Sequence, residues 1–212
     1  MTNAEAPAGI AGIMLAGGRS SRMGREKALI ELGGAPVIAH VADRLRPQVA
    51  RLAISANGDP ARFGFLDAAM IADEGGAPGE EGPLAGIISG LRWAARQGFT
   101  RAAFAPSDAP FLPSDLVARL AEVSKLDRIA VAESVRGIEP LFSLWPVSLL
   151  DQAEWAFAQG ERSPHRLIRS LAHRLVRFEA APEQPDPFFN LNTPADVKAA
   201  ETWIVSASRL PG

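Results

Sequence analysis

The feature that most constrains this chain is its opening. An apolar run at residues 10–16 ends in Gly17-Gly18 and continues directly into a loop crowded with positive charge. Short, apolar on every position and closed by glycine, the run reads as a strand buried on both sides, as in a parallel sheet covered by helices. The segment that follows, LAGGRSSRMGREK (residues 15–27), carries three glycines, two serines, three arginines and a lysine. Glycines allow backbone N–H groups to approach an anion closely, and successive N–H groups form an anion-binding concavity. Arg19, Arg22 and Lys27 could neutralise a triphosphate. The segment is not a P-loop, because no Gly-Lys-Ser/Thr closes it. Gly17, Gly18 and Gly24 also miss the spacing of the dinucleotide fingerprint.

The rest of the chain alternates between the two periodicities. Residues 35–46 place Val37, Ile38, Val41 and Leu45 at helical spacing. Residues 49–56 read as a second strand and 68–72 as a short third, followed by an acidic loop over 73–82. Gly82 as N-cap with Pro83 behind it opens a helix. Residues 100–106 read as a strand, and Leu116, Val117, Leu120 and Val123 mark a helix. Residues 128–134 and 138–145 are strand-like. Residues 147–159 and 164–171 are helical, the second capped by Ser163, and 173–179 alternate as a strand. Thr193-Pro194-x-Asp196 opens a last helix running to about residue 204. Strands alternating with helices predict an α/β fold: a three-layer α/β/α sandwich around a Rossmann-like, mostly parallel sheet. Residues 1–8 are expected to be a disordered tail and 9–205 a single domain. In such sheets ligands bind outside the carboxyl ends of the strands. Four polar features fall there: the Gly17 loop, Asn57, Asp73 and Asp108.

Composition narrows the chemistry. The formal net charge of −2 argues against a nucleic-acid partner. The chain has no cysteine and three histidines, which removes thiol nucleophiles, disulfides, Cys-ligated zinc and iron–sulfur clusters. No apolar stretch is long enough for a membrane span, and the first residues lack the pattern of a signal peptide, so the expected compartment is the cytoplasm.

The segment LAGGRSSRMGREKALIELGGAPVI resembles the opening signature of the molybdenum cofactor guanylyltransferases, within the class that transfers NMP from an NTP. The resemblance continues, in order, through EEGPLAGIISGL (80–91), SDAPFLPSDL (107–116), EPLFSLWP (139–146) and FFNLNTPADV (188–197). Leu15-Ala16-Gly17-Gly18 is closer to the guanylyl branch than to cytidylyl relatives, which more often carry Ala for the first Gly. Asn190-Leu-Asn192-Thr-Pro points the same way. Ser107 stands where the family often has Cys, and Glu26 where Asp is usual.

The resemblance implies transfer of GMP from GTP to molybdopterin, with pyrophosphate released and molybdopterin guanine dinucleotide formed. It implies nucleotide contacts at Leu15, Ala16, Gly17, Gly18, Lys27, Asn57, Asp73 and Asp108, with Arg22, Lys27 and Asp108 in the catalytic step. It places Mg2+ on Asp108 and the pterin at Asn190 and Asn192. Carboxylate oxygen suits Mg2+, which binds one or two carboxylates plus phosphates, although a lone Asp before a Pro-rich turn also reads as an Asx-turn. Asn57-Gly58 is a turn signature in its own right. If the 190–192 segment is extended, both Asn side chains share a face. Arg162, His165 and Arg166 read first as a solvated helical face and second as a cradle for the pterin phosphate. The four tryptophans are expected in or near the core. GTP and molybdopterin are the expected small-molecule partners, with transient contact to molybdoenzymes or cofactor-delivery proteins, and the expected state is a monomer. A cytidylyltransferase on the same pterin, a sugar-phosphate nucleotidylyltransferase and a non-catalytic GTP- or cofactor-binding module remain the alternatives.

Overall fold

The computed structural model describes residues 9–17, 27–72, 82–125, 127–180 and 184–207. The expected tail over 1–8 lies outside them. The strands are β1 (Ile10–Leu15), β2 (Glu31–Leu32), β3 (Ala35–Pro36), β4 (Arg51–Ser55), β5 (Ala69–Ile71), β6 (Arg101–Pro106), β7 (Ile129–Ser134), β8 (Gly137–Pro146) and β9 (His173–Arg177). The helices are α1 (Val37–Leu45), α2 (Pro83–Arg96), α3 (Leu116–Val123), α4 (Leu150–Ala158), α5 (Pro164–Ser170) and α6 (Pro194–Ala207). Among the described residues seven strands form one sheet in the order β5-β4-β1-β6-β8-β7-β9, while β2 and β3 pair as a separate small hairpin. All neighbours in the sheet are parallel except β8, which runs against β6 and β7.

β1 explains the layering. All six of its residues are buried. Ile10 and Met14 pack with Ile38, Val41 and Leu45 of α1 and with Leu116 and Leu120 of α3. Ala11, Ile13 and Leu15 pack with Leu84, Ile87 and Leu91 of α2, Ala153 of α4 and Ile168 of α5. Each face of the strand therefore meets its own helical layer, which is why its sequence does not alternate with polar residues. Gly90 lets α2 lie close to the sheet, since a Cβ there would stand 2.6 Å from Phe104 Cε1.

Local cap chemistry places the helix starts. Gly82 precedes Pro83 at the start of α2 without a side-chain cap. The Ser163 hydroxyl accepts from Arg166 N at the start of α5. Asp196 and Thr193 form a reciprocal cap on α6: Thr193 N donates to Asp196 Oδ2 at 2.8 Å and Asp196 N donates to Thr193 Oγ1 at 3.2 Å.

One tryptophan departs from expectation. Trp145 is fully buried, but Trp155 is 68% exposed. Ala153, Ala156 and Phe157 of α4 turn toward the core, and a residue two positions from Ala153 lies on the far side of the helix. Among the described residues no helix is long and apolar enough to cross a membrane.

Candidate active site

The carboxyl ends of β4, β1 and β6 are level. Leu15 is opposite Ser55 on one side and Pro106 on the other. Backbone bonds extend the alignment past the strands: Ala16 N donates to Ser55 O at 2.8 Å and Ser107 N donates to Leu15 O at 3.1 Å. Leu15, Ala16, Gly17, Asn57 and Asp108 are thereby brought to one edge of the sheet. Gly18, Arg19, Arg22, Arg25 and Asp73 lie outside the described residues.

Lys27 opens a single 3-10 turn, Lys27–Leu29. Its Nζ donates to Asn192 Oδ1 at 2.6 Å and stands 3.8 Å from Asp108 Oδ2. Leu191 N donates to Asp108 O at 2.9 Å. Three motifs far apart in the chain thus meet within a few ångströms. Burial pushes the Asp108 carboxyl above its ordinary range, opposed by the Lys27 cation and a backbone hydrogen bond. An acidic oxygen held in this way is a hard ligand of the kind a divalent cation takes. Among the described residues no cluster of three or more His, Cys, Asp or Glu could form a metal cage. Among the described residues Asp108 is thus not part of a three-residue cage, and a cation held on it would take phosphate or water as further ligands.

Asn57 and Gly58 form a turn at the end of β4. Gly58 has φ +89°, and an Arg62 guanidinium N–H donates to Asn57 O. The turn reading holds, and the turn directly follows the carboxyl end of β4.

Asn190 and Asn192 are in a segment that is not a strand, so the shared-face expectation does not carry over. Their surroundings differ. Asn192 is exposed and reaches Lys27, and its N donates to Asp196 Oδ2 at 2.9 Å. Asn190 Oδ1 is buried with no hydrogen-bond partner among the described residues. A buried acceptor left in that state costs free energy unless a ligand satisfies it.

The Arg162, His165 and Arg166 cluster is organised by its own acid. Arg166 grips Glu161 through two donations, at 3.0 and 2.7 Å. These bonds, with the Ser163 and Arg162 amides, hold the Glu161 carboxyl down at about 2. Arg162 donates to Phe157 O at 2.6 Å and lies over the Phe157 ring. The arginines tie α4 to α5.

Sequence reasoning missed a second polar group beside the Asn190 segment. Arg136, in the β7–β8 turn, binds Glu139 at 3.0 Å, Asp186 at 2.8 Å and Phe188 O at 3.0 Å. Glu139 also accepts from Ser134 Oγ at 2.7 Å. The i,i+3 spacing of Arg136 and Glu139 was the only local signal of it.

Comparison with known proteins follows the same outline. Residues 12–175 match the model of the MobA-like NTP transferase domain. The chain is 46% identical over 194 residues to a molybdenum cofactor guanylyltransferase of Rhodobacter capsulatus, covering 91% of this chain and 95% of that protein. It is 41% identical over 199 residues to a molybdenum cofactor guanylyltransferase of Rhizobium meliloti (strain 1021), covering 91% and 90%. Among solved structures it resembles the molybdopterin-guanine dinucleotide biosynthesis protein A of Archaeoglobus fulgidus, with TM-score 0.68 and 24% identity over 93% of this chain and 99% of that one.

Proposed function

The chain belongs to the MobA-like NTP transferase family, and we infer that it moves GMP from GTP onto molybdopterin, releasing pyrophosphate and leaving molybdopterin guanine dinucleotide. The observation that carries this reading is the meeting of Lys27, Asp108 and Asn192 at the carboxyl edge of a parallel sheet. A cation and an acidic oxygen for a triphosphate lie there beside an amide suited to a polar pterin.

In the reaction an oxygen of the terminal phosphate of molybdopterin bonds to the α-phosphorus of GTP, and the bond from that phosphorus to the bridging oxygen of the β-phosphate breaks. The attacking phosphate is already ionised near pH 7, so the chain needs no strong general base. This agrees with a site built without Cys or His. Backbone N–H groups of Leu15, Ala16, Gly17 and Gly18 would cradle the triphosphate, and Arg22 and Lys27 would neutralise it. Asn57 and Asp73 would contact the nucleotide from the neighbouring strand ends. Asn190 and Asn192 would orient the pterin, Asn190 with its buried oxygen and Asn192 beside Lys27. Asp108 would hold a divalent metal, and we propose Mg2+. Such an ion supplies charge stabilisation for the oxygens of the transferring phosphoryl group. The protein's share is positioning: it holds two anions that repel each other in line for transfer.

The test is incubation of the protein with molybdopterin, Mg2+ and each of the four labelled nucleoside triphosphates. Pyrophosphate release that requires both GTP and the pterin is the expected result. Faster turnover with CTP would overturn the choice of base. GTP binding without pyrophosphate release in the presence of pterin would make the protein a binding module.

A further inference from the structure

The two main apolar clusters lie on the faces of the sheet, but the three site segments share a third. Leu32, Leu191 and Ala200 are buried together, with Phe111, Phe189 and Ile204 packed around them. This small core brings together the hairpin that follows Lys27, the turn that follows Asp108, the strip that carries Asn190 and Asn192, and α6. Against two of its rings stands Trp203. Its ring meets the Phe111 ring edge-on, with centroids 5.6 Å apart at 85°, and the Phe189 ring at 5.1 Å and 89°. Phe111 lies three residues after Asp108, and Phe189 immediately precedes Asn190. Both contacts have the edge-to-face geometry that fixes ring orientation as well as burying area.

The same helix acts at its other end. Asp196, in its first turn, accepts from Asn192 N at 2.9 Å and Thr193 N at 2.8 Å. Asp196 and Trp203 are seven residues apart, about 10 Å along a helix. The helix therefore grips the Asn192 strip at one point and meets both Phe111 and Phe189 at another. Between them runs a backbone bond that joins the two strips, Leu191 N to Asp108 O at 2.9 Å. α6 also follows the residues matched by the family model, 12–175.

We propose that α6 registers the nucleotide half of the site against the pterin half, and that Trp203 is the positioning residue through which it does so. Trp203 acts through its ring contacts with Phe111 and Phe189. It sets the distance between Asp108 and Asn192 by holding the aromatic neighbours of each. The substrate halves named here rest on the functional reading above, whereas the register itself does not. In-line transfer is sensitive to such a distance: a displacement of about 1 Å can cost about a hundredfold in rate.

The full chain is prepared as wild type and as Trp203→Ala, Trp203→Leu and Trp203→Phe. Amide hydrogen exchange is followed at Leu191, β1 and β6, and kcat and both KM values are measured with GTP, molybdopterin and Mg2+. In the Ala and Leu variants Leu191 should exchange about tenfold faster or more, while β1 and β6 keep their protection. kcat should fall about tenfold to a hundredfold with KM for GTP within about twofold of wild type, and Phe should restore most of both. Unchanged exchange at Leu191 would overturn the proposal. So would loss of protection throughout β1 and β6 in both the Ala and the Leu variant, which would make Trp203 a residue of general stability. A wild type that transfers no GMP would overturn the functional reading instead, and the exchange experiment would still decide the register.

Discussion

Replacing Asp108 by Asn separates a functional carboxylate from a structural one. The change keeps the shape of the side chain and leaves the backbone bond from Leu191 to Asp108 O untouched. It removes one charge, 3.8 Å from Lys27 Nζ. At an effective dielectric of about 20, two unit charges at that distance attract by about 4 kcal/mol. Against this stands the cost of keeping a carboxylate out of water, several kcal/mol per ion. Burial is the larger influence on Asp108, since its carboxyl lies above the ordinary value in spite of Lys27. The two effects nearly cancel, and the expected change in stability is about 1 kcal/mol or less in either direction, or about 2–4 °C in Tm for a chain of this size. Turnover should fall about a hundredfold or more, because the group proposed to hold the metal is gone.

The pH dependence has a definite sign. A carboxyl raised in the folded protein binds its proton more tightly there than in the unfolded chain. Its contribution to stability is therefore present below its unfolded value and lost as pH rises through its folded value. The difference in stability between wild type and Asp108→Asn should accordingly shift in favour of wild type on acidification through that range. Thermal melts across the acid range and a pyrophosphate-release assay test both parts. A Tm lower by about 10 °C or more, or retained turnover, would refute the reasoning.

Three further outcomes follow from the packing. Gly90→Ala would drive a methyl group to 2.6 Å from Phe104 Cε1 and 3.1 Å from Ile13 Cγ2. It should destabilise by about 1–3 kcal/mol, read as a lower denaturation midpoint; an unchanged midpoint would mean that α2 is not seated so closely. Arg166→Ala breaks only an exposed pair with Glu161 and should leave KM for the pterin and Tm unchanged, whereas a fivefold rise in that KM would bring the α5 cluster into the site. Asn190→Ala should raise KM for the pterin about tenfold or more, as expected for a lost hydrogen bond to a charged or strongly polar group. It should leave Tm level or higher, and a clear fall in Tm would make Asn190 a structural residue.

Local chemistry made much of this fold legible. The uninterrupted apolar run of β1 announced a strand covered on both sides, and Gly82-Pro83, Ser163-Pro164 and Thr193-Pro194 announced three helix starts, because caps involve only residues within a turn. The antiparallel strand β8 was within reach too. Only Val135 and Arg136 separate it from β7, far fewer than a parallel crossover needs. Trp155 was misplaced because tryptophan was read by residue type, although the spacing from Ala153 puts it on the outer face. The contact of Lys27 with Asn192 had no such signal. The two residues are 165 positions apart, and nothing in either neighbourhood encodes the other. The third core lacked a local signal for the same reason: Leu32, Phe111 and Phe189 are far apart in the chain, and the topology brings them together.

Among the described residues, buried polar groups differ in how fully the fold satisfies them, and the difference bears on the proposed site. Gln48 is buried, and both ends of its amide are occupied. It donates to Arg44 O and Pro113 O at 2.8 Å each and accepts from Val117 N at 2.9 Å. It joins α1 to the turn before α3 and has nothing left for a ligand. Ser143 likewise donates to Pro140 O and accepts from Trp145 Nε1. Asp108 and Asn190 are not finished in this way. One is a carboxylate whose burial Lys27 offsets only in part, and the other has a buried oxygen with no described partner. Each incurs a desolvation cost that folding does not recover. A residue selected for stability alone would be Gln48-like, and the cheap replacements Asn and Ala at 108 and 190 would serve folding as well. Ser124 Oγ, at the end of α3, is also buried with no hydrogen-bond partner among the described residues, but Asp108 and Asn190 fall together within the segments that meet at Lys27, as the proposed site requires.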